Sequence, residues 1–160
     1  MGDPARHTRI RDYRLRLTES GGNLQIESER FVPQHGSLLY PSDPKELLQA
    51  AMVAHNYGLE TEFAQYFASP EVAGLFRSLA PAGGETGPMI EMAALEPRKV
   101  DGWCEPLTTP VYRPGADGTA PFAVNWGGMR LAYTWGVVTF GKTAGGLPVI
   151  TGVKVTGECR

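Results

Sequence analysis

The stretch MRLAYTWGVVTFGKTAGGLPVITGVKVTGE, residues 129–158, decides how the rest of the chain is read. Two runs rich in aromatic and β-branched residues flank the glycine-containing turn TAGG, which is the pattern of a long β-hairpin. Alternation puts Met129, Leu131, Tyr133, Trp135 and Val137 on one face of the first strand, and Leu147, Val149, Val153 and Val155 on one face of the second. The reverse faces carry Arg130, Ala132, Thr134 and Gly136, then Gly152, Lys154 and Thr156. The first set is expected to be core, with the polar tips of Tyr133 and Trp135 finding partners. Whether those two rings rest on helix side chains or face a hollow decides whether the hairpin can line a pocket.

Working outward from the hairpin, FAVNW (122–126) and MIEMAAL (89–95) read as short strands, and the Pro- and Gly-dense residues 99–121 between them read as loop, edge strand or both. Residues 89–157 are therefore expected to form a mostly antiparallel sheet. Before it, PAGGETGP (81–88) ends a helical block over 43–80. In that block Asp43 can cap a helix, Pro44 suits its first position, and Glu46 lies three residues after the cap. Leu47, Leu48, Ala51 and Met52 recur at helical spacing up to Gly58. A short helix in ETEFAQYFA follows, then a third capped by Ser69 with Pro70 behind it.

At the other end, RIRDYRLRLT (9–18) and LQIESERF (24–31) alternate around ESGGN, which predicts an N-terminal hairpin within an arm spanning 1–35. Arg14 and Arg16 are expected across from Glu27 and Glu29. Hairpin, helices and antiparallel sheet in that order make an α+β domain, and 160 residues with 42% hydrophobic content suit a single one. Over residues 43–156 this element order resembles the cystatin-like or NTF2-like cone, with the N-terminal hairpin as an addition. The resemblance implies either a small-molecule cavity between helices and sheet or a plain assembly or dimerisation module, and it transfers no catalytic residue.

A net charge of −2 gives the surface as a whole no preference for a polyanion. Eleven arginines against four lysines, with abundant Ala and Gly, suggest a bacterial coding sequence. Lys142, Pro148 and Lys154 interrupt the apolar stretch 137–155 well short of the roughly 20 residues a spanning helix needs. The first residues carry charge without an apolar core, so neither a signal peptide nor a membrane segment is expected and the chain reads as cytoplasmic. Cys104 and Cys159 lack the spacing of a zinc or dithiol motif, and no metal or cofactor is expected. They read as buried thiols, with a disulfide between the C-terminal strand and the central loop as an alternative that would argue for an oxidising compartment.

Two places could carry function. Arg6, Arg9, Arg11, Arg14 and Arg16, opposed by Asp12 alone, could grip an acidic protein surface or phosphate. Tyr13 is the single aromatic among them, so nucleic acid is the weaker reading. A cavity under the hairpin could instead use His55 with Glu60 or Glu62 for proton transfer, walled by Tyr133, Trp135 and Trp126. The bland alternatives are a charged edge strand, a helix-terminal histidine bonded to carbonyls, and core aromatics. Two functions follow: a non-catalytic binding or assembly domain that contacts a protein partner or another copy of itself through the arginine strand and sheet edge, or a cofactor-free isomerase, cyclase or hydrolase. Whether the chain is an enzyme is left open by the sequence.

Overall fold

The structure is a computed structural model that describes residues 9–17, 24–33, 40–127 and 132–160. Its contacts divide the chain, expected from sequence as one domain, into two units, residues 1–40 and 41–160.

In the first unit β1 (Arg9–Leu17) pairs antiparallel with β2 (Leu24–Pro33), as the alternation predicts. The register differs from expectation. Arg14 lies opposite Ser28 and Arg16 opposite Gln25, because a bulge between Arg14 and Leu15 leaves Glu27 without a partner position. Glu29 instead lies opposite Tyr13. Arg6 lies outside the described residues.

The second unit begins where the capping signals place it. The Asp43 carboxylate accepts from the amides of Lys45 (2.9 Å) and Glu46 (3.3 Å), and Pro44 opens α1 (Pro44–Asn56). After α2 (Glu60–Gln65), the Ser69 hydroxyl accepts from the Val72 amide and Pro70 opens α3 (Pro70–Arg77). The apolar stripes of these helices bury Leu47, Leu48, Ala51, Phe63 and Phe76, and the rings of Phe63, Phe67 and Phe76 pack with centroids 4.6–5.9 Å apart.

Four strands form the main sheet in the order β3 (Met89–Glu91), β6 (Thr119–Asn125), β7 (Tyr133–Lys142), β8 (Pro148–Cys159), all antiparallel. The expected C-terminal hairpin is β7–β8; Met129, Arg130 and Leu131 lie outside the described residues. At Met92 the chain leaves this sheet, and β4 (Ala93–Val100) with β5 (Trp103–Pro110) forms a separate two-stranded ribbon. Asp101 and Gly102 turn it, both at positive φ (51° and 81°), the backbone of a tight hairpin turn. Of residues 99–121, offered by the sequence as loop, edge strand or both, 103–110 form the ribbon's second strand, 111–118 are loop and Thr119 opens β6.

The face of β7 expected to be core is the half-buried one. Thr134, Gly136, Val138 and Phe140 are buried, whereas Tyr133, Trp135 and Val137 are half-buried and Val155 is exposed. Register puts Phe122 and Val124 of β6 beside Gly136 and Thr134, so the buried side of the sheet is the one on which these residues stand. The helices cover that side: α1 and α3 pack along β8, α1 also reaches β3, and Phe67 bridges to Ile150. The opposite side, carrying Tyr133 and Trp135, lies under the ribbon. Each face of β7 has its own cover, and alternation along one strand cannot say which cover is the larger.

Cys104 and Cys159 form a disulfide that joins the ribbon to the end of β8, so the expectation of two free thiols is corrected.

Candidate functional site

Trp135 stands opposite Gly157, and a Cβ on that glycine would run into the indole. The ring therefore lies flat over the β8 backbone, on the ribbon side. Tyr133 stands opposite Cys159 on the same face. Together with Leu95, Cys104 and Cys159, and with Arg98 and Glu105 at the ribbon, the two rings line a crevice too tight for water. The rings thus meet the disulfide and the ribbon rather than the helices.

Beside this crevice, between β3, β6, β7 and the ribbon, lies a groove of about 180 Å³. Met89, Glu91, Thr108, Ala123, Asn125 and Tyr133 line it. Their convergence follows from strand alternation: Met89 and Glu91 pair with Asn125 and Ala123, and these in turn with Tyr133 and Trp135. The Asn125 carboxamide is fixed at both ends. Its Oδ1 accepts from the Gly127 amide (2.9 Å), while its Nδ2 donates a long bond to the Tyr133 hydroxyl (3.5 Å). Tyr133 keeps its own proton to donate.

The other cavity candidates are held elsewhere. His55 Nε2 donates to the Ala80 carbonyl (2.7 Å), tying α1 to the turn after α3. Glu60 pairs with Arg77, whose guanidinium also covers the Phe63 ring at 4.6 Å, and Glu62 is half-exposed on α2. Trp126 Nε1 donates to the buried Thr134 hydroxyl (2.8 Å), and Arg160 stacks on that indole at 4.4 Å. The sheet therefore separates His55 and Glu62 from Tyr133 and Trp135. The four candidates do not converge.

The ribbon's outer face is the second feature. Trp103 and Leu107 are 61% and 59% exposed, on alternate positions of β5 with Glu105 between them, and Glu105 pairs in register with Arg98. Large apolar side chains that stay in water on a regular strand are the kind of surface a partner covers. Sequence reasoning passed over both features. Asp101-Gly102 is a strong hairpin signal that would have located the ribbon, but no local pattern points to Glu91, Thr108 or Asn125.

Among the described residues no three His, Cys, Asp or Glu side chains are grouped to hold a metal ion, and no helix is long and apolar enough to cross a membrane. No family model, characterised protein or solved structure matches the chain, and the resemblance to the cystatin/NTF2 cone is not confirmed.

Proposed function

We propose that the chain is a non-catalytic binding or assembly domain that contacts a protein partner or a second copy of itself. The observation that carries this reading is the pair Trp103 and Leu107, held outward on a ribbon whose inner side is locked to the sheet by the Cys104–Cys159 disulfide. Tryptophan at the centre of a contact is among the residues that contribute most to protein association, and a prearranged strand loses little entropy on binding. The arginine strand of the first unit is the second proposed contact, with Arg9, Arg11, Arg14 and Arg16 on β1. The disulfide favours an oxidising compartment over the cytoplasm expected from the sequence. Arginine-rich usage is consistent with a bacterial source.

A photo-crosslinking residue in place of Glu105 tests the reading. One discrete adduct, with another copy or with one partner, is expected, and none from the same residue in place of Lys142 at the far end of β7. Trp103→Ser with Leu107→Ser should abolish the adduct while leaving the circular dichroism unchanged. Equal labelling from both positions would refute the ribbon as a contact surface.

A further inference from the structure

We infer that the groove between β3, β6, β7 and the ribbon is a binding site for a primary alkylammonium group. Glu91 is the one charged residue among those lining it, and among the described residues no cation pairs with its carboxylate. Three acceptor oxygens not engaged elsewhere among the described residues belong to residues lining the groove, the two of the Glu91 carboxylate and the Thr108 hydroxyl. An –NH₃⁺ group has three donors and no acceptor, so this set matches it in charge and in number. Asn125 holds the Tyr133 hydroxyl in place from the groove wall. Met89 and Ala123 supply apolar lining for a short alkyl stem, and Met89, 63% exposed, is the flexible side chain best able to close over it.

Size narrows the ligand. A groove of about 180 Å³ has room for about six waters, the bulk of five or six non-hydrogen atoms, and falls short of the roughly 300 Å³ at which drug-sized sites begin. A linear amine of four or five carbons fits, whether free in solution or as the end of a lysine side chain. A carboxylate or phosphate would meet Glu91 head-on and is excluded by charge.

Amide NMR titration of the full chain tests the site with n-butylammonium, with n-butanol as the uncharged analogue, and with Nα-acetyl-lysine-N-methylamide as the lysine source. Saturable shifts confined to Met89, Glu91, Thr108, Ala123, Asn125 and Tyr133 are expected for both amines, with affinity on the order of millimolar. Glu91→Gln, at an exposed position, should weaken them about tenfold, the loss that follows from removing one charge-assisted hydrogen bond. Comparable affinity for the two amines points to a free amine, and at least about tenfold preference for the lysine derivative points to a polypeptide side chain. Butanol shifting the same amides equally, or Glu91→Gln binding unchanged, overturns the inference. The Trp103→Ser, Leu107→Ser variant should retain the amine response, so this site and the ribbon contact stand or fall separately.

Discussion

Cys104, two residues past the turn of the ribbon, is bonded to Cys159 at the end of β8, 55 residues later in the chain. The bond crosses from one sheet to another, and among the described residues no strand pairing does that for the ribbon: there β4 and β5 pair with each other alone. A two-stranded ribbon is marginal in water by itself, so the disulfide and the packing on Tyr133 and Trp135 together hold it in place.

Replacing both cysteines, Cys104→Ser with Cys159→Ser, should therefore cost about 2–4 kcal/mol in urea unfolding, the usual range for removing a disulfide. Hydrogen exchange should accelerate in β4 and β5 before it does in β6 and β7. Two thiols that react at once with a colorimetric reagent in the native, non-reduced protein would contradict the pairing.

The location of the core gives a second comparison. Phe122, 1% exposed on the helix-covered side, should lose about 3–5 kcal/mol on truncation to alanine. Val155, which the alternation of the C-terminal hairpin assigns to the core, stands 48% exposed, and Val155→Ala should change stability by about 0.5 kcal/mol or less. Equal losses at the two positions in the same denaturant series would mean that Val155 is buried in the folded protein, against its exposed place on β8.

Asp117 provides a pH-dependent test. The Thr119 hydroxyl (2.7 Å) and the Thr119 amide (3.0 Å) both donate to its carboxylate and hold it below the usual aspartate range, the hydroxyl having the larger effect. A depressed folded-state value contributes stability above the unfolded aspartate value, and that contribution is lost as pH falls through the folded one. Thr119→Val should move the Asp117 carboxyl titration upward when followed by carbon NMR. No movement would show that the turn does not depend on the hydroxyl.

Much of the architecture is legible because its signals are local. Asp43 with Pro44, and Ser69 with Pro70, act within one helical turn, and the helices start where those pairs stand. The β7–β8 hairpin is equally local. What the chain does not reveal by itself is which side of β7 meets the helices, since Tyr133 and Trp135 on one face and Val138 and Phe140 on the other are both suited to burial. That choice is made by Gly157, which opens space over β8 for the indole, and by a cysteine pair whose partners are far apart in sequence. The groove is illegible for the same reason. Glu91, Asn125 and Tyr133 come together by pairing across three strands, and Thr108 joins them from the ribbon, which belongs to a separate sheet.

The most direct test of the binding function is the environment of Trp103 in the assembled state. In protein labelled with 5-fluorotryptophan, each of Trp103, Trp126 and Trp135 gives a ¹⁹F resonance, assigned by single substitution to phenylalanine. With the exposed Trp103 free, its resonance should show the largest shift between H₂O and D₂O. On raising the protein concentration, or on adding the partner captured at position 105, the Trp103 solvent shift should collapse, with Trp126 and Trp135 unchanged. A Trp103 resonance that keeps its full solvent shift in the associated state would contradict the ribbon as the contact surface.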